Sequence, residues 1–231
     1  MKVVAHFRSP LQSKFGTPRQ SGVVPHLLGK IVFEQPFRSP DAVRGLEGFD
    51  YLWLIWGFSA NRDTGTDNLT VRPPRLGGNK RVGVFATRSP YRPNALGLSS
   101  VKIHHIDFDA TEAPVIYVEG ADLMDGTPIY DVKPYIAYTD AHPDAKAGFT
   151  DSIQWQPLQV ELTKEVEEKL AHPDYADISE QMPVCCQLLS QDPRPHYHDD
   201  PNRVYGMKYG GYDLRFKVTE SLLTVVDVKC T

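Results

Sequence analysis

The most apolar run in the chain is FDYLWLIWGF, residues 49–58. Its length and aromatic content predict a buried strand rather than a helix. Residues 2–7, 26–33, 98–106, 114–119 and 127–136 read as further strands, with Val84-Phe85-Ala86 as a short one. Turn residues separate these runs, and short strands at such spacing predict a barrel or sandwich up to about residue 136. Residues 41–46 read as one helical turn, with Ser39 or Asp41 as its cap. The pattern then changes. Residues 139–157 are turn-rich and read as a linker or long loop. Residues 163–171 and 176–191 have helical periodicity, and Thr163 is placed to cap the first. Alternating strands follow over residues 205–228, around Gly210-Gly211 and Glu220-Ser221. The predicted organisation is a mainly β domain over 1–138, a linker over 139–157 and a small α+β domain over 158–231.

Between the predicted strands lies VFATRSPYRPNALGLS, residues 84–99. Pro90 and Pro93 fix φ and remove two donors, and Ser89 and Arg92 before them are biased to extended angles. The loop is therefore stiff. It carries Arg88, Ser89, Arg92 and Asn94, which suits a binding site. Gly97 at its exit predicts a bulge or a close backbone approach.

Composition adds one local contrast. The chain has a net charge of −4, yet between Asn68 and Ile106 there are seven basic residues and no acidic one. The seven are Arg72, Arg75, Lys80, Arg81, Arg88, Arg92 and Lys102. Such a block points to an anionic partner, phosphate or nucleic acid, unless acids elsewhere pair with it in the fold. Three cysteines, Cys185, Cys186 and Cys230, form neither a disulfide framework nor a zinc pattern. No apolar run approaches a membrane span, and MKVVAHFRSP lacks the apolar segment of a signal peptide. The expected location is the cytoplasm.

Three blocks carry a resemblance: RPPRLGGN (72–79), VGVFATRSPYRPNALGLSSV (82–101) and DLMDGTPIYDVKPY (122–135). They resemble the TsaA-like or TrmO-type family, and QDPRPHY (191–197) is similar to the C-terminal part of its bacterial members. The resemblance implies a single closed β-barrel, not a Rossmann fold. It implies a homodimer that uses S-adenosylmethionine to methylate N6 of threonylcarbamoyladenosine beside the anticodon of tRNA. The absence of a strand–GxGxxG–helix unit agrees with a non-Rossmann enzyme. Carried onto this sequence, the cofactor contacts are Pro18, Arg19, Gln20, Ser59, Ala60, Arg88, Leu98, Asp122, Leu123, Asp125, Gly126 and Thr127. Members of the family carry His-Gln where this chain has Ser59-Ala60, so contacts there are expected to run through backbone.

The acceptor nitrogen is flanked by a carbonyl, so loss of its proton accompanies attack. The proton goes to Asp125, to Asp131 or to water. Arg72, Arg75, Lys80, Arg81, Tyr91, Arg92 and Asn94 are the expected RNA contacts, with Tyr91 stacking on a base and Asn94 reading a base edge. Asp125-Gly126 is also an ordinary hairpin-turn signal. His196-Tyr197-His198-Asp199-Asp200 offers metal-ligand types but no site geometry, and no metal is expected. Met182 and the vicinal cysteines are expected on a helix packing face. Two alternatives stay open: a cofactor- or RNA-binding barrel without the activity, and a methyltransferase with another acceptor.

Overall fold

The computed structural model describes residues 1–60, 69–73, 80–152, 156–194 and 200–231. The chain is mainly β and packs as two compact units. Each unit is assembled from several segments. The first takes Met1–Arg8, Lys30–Glu119 and Gly126–Trp155, and the second takes Ser9–Gly29, Gly120–Asp125 and Gln156–Thr231.

The main sheet of the first unit contains β1 (Ala5–Arg8), β2 (Leu28–Phe33), β3 (Tyr51–Gly57), β6 (Leu96–Asp107), β7 (Val115–Glu119) and β8 (Pro128–Pro134). Their order is β1-β2-β7-β6-β3-β8, and β8 bonds back to β1. The predicted apolar run forms β3. Leu52, Leu54 and Trp56 face inward and are buried, while Tyr51, Trp53 and Ile55 face the other way, as the period of two requires. Phe7, Ile31, Val101, Ile116 and Ile129 join the inward set. Burying each such side chain contributes about 1.5–3 kcal/mol before chain entropy is counted. A two-stranded pair, β4 (Thr70–Val71) with β5 (Val82–Gly83), lies outside this sheet.

One expectation is corrected here, and one alternative is set aside. Val84-Phe85-Ala86 is a 3-10 turn, not a strand, because Thr87 folds back and donates from both its amide and its hydroxyl to the Val84 carbonyl. The Asp125-Gly126 turn is not a hairpin tip, because β7 neighbours β2 and β6 whereas β8 neighbours β3 and β1. Between those strands the chain leaves the sheet, and Gly120 donates to Leu27 O and accepts from Gly22 N within the second unit. The short helix α1 (Pro40–Val43) is capped by Ser39, whose hydroxyl accepts from Asp41 N. Residues 137–152 include α2 (Ala137–Asp140) and a 3-10 turn at Gly148–Ser152. Asp140 ties α2 to the sheet by accepting from Trp53 Nε1 and Ile136 N at 2.8 and 2.9 Å.

The second unit packs α3 (Lys164–Leu170) and α4 (Ala176–Ser190) on a four-stranded sheet. Its strands are β9 (Gln159–Leu162), β10 (Tyr205–Tyr209), β11 (Tyr212–Thr219) and β12 (Leu222–Cys230). They lie in the order β10-β11-β12-β9, with β9 and β12 parallel. Thr163 caps α3 by accepting from Val166 N. Met182 and Cys185 are buried in this core, with Cys186 packed against it, as the helical pattern predicts. Burial raises the pKa of both thiols, so neither is a ready thiolate. The core also includes Leu11, Val24 and Leu27 from the N-terminal segment. Among the described residues no helix is long and apolar enough to cross a membrane, and no cluster of three or more His, Cys, Asp or Glu could hold a metal ion.

Candidate functional site

The stiff loop predicted from its prolines is built in the first unit by a ladder of local hydrogen bonds. Ser89 N donates to Thr87 Oγ1 at 3.3 Å, and Tyr91 N donates to Ser89 Oγ at 3.2 Å. The Arg92 guanidinium turns back onto its own loop and donates to the Thr87 carbonyl at 3.0 Å. Ala95, at φ +43, closes the loop: its amide donates to Arg92 O, and its carbonyl accepts from Phe58 N at 2.9 Å. That last bond sets the loop beside the end of β3, where Ser59 and Ala60 lie exposed. The fold thus brings together two expected cofactor segments that are separated in sequence. Arg88, Tyr91 and Asn94 are exposed on the loop.

Leu98 follows at the start of β6, with 59% of its surface exposed. The strand registers pair Leu98 with Ile55 and Ile55 with Asp131, so the three form one row across the outward face of β6, β3 and β8. Adjacent strands lie about 4.8 Å apart, which puts Asp131 roughly 10 Å from Leu98. Asp131 Oδ1 accepts from Val132 N at 3.0 Å, and Oδ2 pairs with Lys133 at 3.3 Å. Gly126 and Thr127 also belong to this unit. Gly126 has φ +74 with open space where a Cβ would stand, and Thr127 is buried.

The basic block divides. Arg72, Lys80 and Arg81 are exposed beside β4 and β5, and Arg81 Nη1 donates to Thr70 Oγ1 at 3.2 Å. Lys102 is already neutralised by Glu119 at 3.0 Å, whose hydrogen bond and charge raise its pKa. Arg75 and residues 195–199, including the histidine-rich stretch, lie outside the described residues. Two exposed apolar residues, Phe85 (75%) and Leu69 (64%), were not expected in this region. They are adjacent through the bond from Val84 N to Leu69 O. Their only sequence signal was an apolar residue flanked by turn and charge.

The other expected cofactor residues belong to the second unit. Pro18 is buried, while Arg19 is exposed and its Nη2 lies 3.5 Å from the Asp192 carbonyl. Lys14 and residues 16–19 line a cleft of about 120 Å³ with Leu188, Gln191, Asp192 and Pro193. The Gln191–Pro193 wall comes from the QDPRPHY block. Leu123 is buried. Asp122 is half-buried. Asp125 Oδ1 accepts from Ser9 N at 3.1 Å, and its amide donates to Leu11 O at 2.8 Å.

Residues 6–141 match the tRNA-methyltransferase O N-terminal domain, and residues 155–231 match the TrmO C-terminal domain. A tRNA (adenine(37)-N6)-methyltransferase of Escherichia coli (strain K12) is 37% identical over 220 residues, covering 93% of this chain and 91% of that protein. The enzyme of that name from Eikenella corrodens is 40% identical over 178 residues, covering 77% of this chain and 95% of its own. The crystal structure of TrmO from Pseudomonas aeruginosa matches with a TM-score of 0.77 at 28% identity, over 99% of this chain and 96% of that one.

Proposed function

The chain belongs to the tRNA-methyltransferase O family, and on that premise we propose that it is an S-adenosylmethionine-dependent tRNA (adenine-N6)-methyltransferase. The observation that carries this reading is the bond from Phe58 N to Ala95 O, which docks the Arg88 loop on the Ser59-Ala60 strand end. Its expected acceptor is N6 of threonylcarbamoyladenosine beside the anticodon. The six-stranded ring of the first unit is read as the single β-barrel that carries this chemistry. A homodimer is the expected assembly.

The donor set fits the cofactor. Its amino-acid carboxylate calls for a cation, which Arg88 supplies on an exposed and rigid loop. Its apolar surface calls for a side chain such as the exposed Leu98. A backbone turn with open space at Gly126 admits a close approach without a Cβ in the way. Ser59 and Ala60 act through their backbone. In the second unit Pro18, Arg19, Gln20, Asp122, Leu123 and Asp125 are retained as cofactor contacts, with the aspartates as acceptors for hydroxyl or ammonium groups.

When bound, S-adenosylmethionine supplies an already activated methyl group. The protein's work is to align the acceptor nitrogen, exclude water and take its proton. Asp131 is the better placed proton acceptor, since it shares the outward row with Leu98 and keeps about half of its surface exposed. Each carboxylate already accepts one backbone amide, Asp125 from Ser9 and Asp131 from Val132, so Asp125 and water stay as the alternatives. Arg72, Lys80, Arg81, Tyr91 and Asn94 face solvent and are read as the tRNA contacts. Arg92 supports the loop from within.

The test is methyl transfer from labelled S-adenosylmethionine to tRNA carrying or lacking the threonylcarbamoyl group. Label incorporation only into the modified tRNA supports the reading. Cofactor binding without transfer to either tRNA would leave a binding protein in its place, and transfer to the unmodified tRNA would change the acceptor.

A further inference from the structure

At the end of α4 the chain makes a left-handed step at a residue that is not glycine. Asp192 has φ +49, and its amide donates to Leu189 O at 3.1 Å. Its carboxylate accepts from Arg194 Nε at 2.9 Å and from Arg194 Nη2 at 3.0 Å, with the Arg194 amide a third donor at 3.3 Å. The two side chains are only 25% and 13% exposed. A bidentate pair of this kind fixes orientation as well as adding energy. It holds Asp192 in a backbone region that an L side chain otherwise avoids at a cost.

The consequence falls on Arg19. The Asp192 carbonyl faces the Arg19 guanidinium, with Nη2 at 3.5 Å. Thr17, Pro18 and Arg19 form one wall of the cleft, and Gln191, Asp192 and Pro193 form another. The Arg19 wall is itself a fixed turn. Thr17 Oγ1 donates to Ser13 O at 2.8 Å, and Gly16, at φ +92, leaves no room for a Cβ against the Met207 side chain. Two motifs 173 residues apart are therefore one local structure.

We infer that Asp192, clamped by Arg194, is a positioning residue that orients Arg19 and with it the 18–20 segment for cofactor binding. The inference rests on the reading of Arg19 as a cofactor contact. It gives residues 191–194 a part in cofactor affinity rather than in the methyl-transfer step.

The experiment uses the full-length protein, calorimetry with S-adenosylmethionine, and steady-state kinetics on tRNA. Asp192→Gly keeps the left-handed backbone accessible but removes the carboxylate, and Arg194→Ala breaks the clamp from its other side. Each is expected to weaken cofactor affinity and raise its KM about tenfold with kcat retained, and neither adds to the loss in Arg19→Ala. Asp192→Asn tolerates the same backbone and keeps an acceptor, so it restores most of the affinity. Unchanged affinity in the folded clamp variants, or losses that add to that of Arg19→Ala, overturns the inference. If Asp192→Gly fails to fold, Arg194→Ala with Asp192→Asn reads the same coupling. If Arg19→Ala alone leaves affinity unchanged, the cofactor role of Arg19 falls together with the positioning role. If Arg19→Ala weakens binding and the clamp variants do not, only the positioning role falls.

Discussion

The indole of Trp56 lies against Gly97, so close that a Cβ on Gly97 would overlap its six-membered ring. The two residues are paired across β3 and β6, and Trp56 Nε1 donates to the buried Ser99 Oγ at 2.9 Å. The glycine is there because the indole occupies the space of a side chain. Gly97→Ala is expected to overpack this site and cost about 1–3 kcal/mol. Urea denaturation reads the loss directly, and an unchanged midpoint would mean that the indole moves aside at no cost.

Arg88→Ala removes the cation proposed for the cofactor carboxylate. Calorimetry should show S-adenosylmethionine binding weakened by about 1.5–3 kcal/mol if the ion pair is desolvated in the complex. An affinity equal to wild type would take Arg88 out of the site.

Asp131→Asn keeps shape but removes the proposed proton acceptor. The expected result is a fall in kcat of about 10²–10⁴-fold with cofactor affinity retained. A wild-type kcat would pass the proton to Asp125 or to water.

Arg72, Lys80 and Arg81 are exposed and are the proposed phosphate contacts, whereas Lys102 is neutralised by Glu119. Replacing the first three with alanine should weaken tRNA binding and flatten its dependence on salt, by about 0.9 in the log–log slope for each phosphate that is no longer neutralised. Cofactor affinity should stay as it was. Filter binding across a salt series checks both the slope and the affinity. A triple variant that binds tRNA like wild type would place the RNA surface elsewhere.

The Ile136 amide and the Trp53 indole hold the Asp140 carboxyl below its ordinary value of 3.8. A lowered folded-state pKa contributes stability that is complete above the unfolded value and is lost as pH falls through the folded one. Asp140→Asn should therefore melt lower than wild type well above pH 3.8, and the gap should shrink below it. Melting curves across that range check the sign. A gap that widens in acid would contradict the assignment.

Much of this protein was legible along the chain, for reasons that are local. Residues 49–58 read as a buried strand because the length and aromatic content of the run need no distant partner. Thr163 read as a cap because its acceptor and the amide it serves are three residues apart. The stiffness of residues 87–95 followed from Pro90 and Pro93, which act through covalent geometry. Only the tertiary structure decided which strand lies beside which. Asp125-Gly126 has the residues of a hairpin turn, but hydrogen bonds from Gly120 to Leu27 and from Gly22 to Gly120 draw the chain out of the sheet first. In the same way Leu11, Val24 and Leu27 read as part of the first domain, yet they bury their surface against α3, α4 and the second sheet. The meeting of Arg19 with Asp192, and of Phe58 with Ala95, belongs to this second kind. Local propensity sets the form of a segment, whereas the choice of partner depends on apolar surface and unpaired backbone groups that become neighbours only when the whole chain has closed.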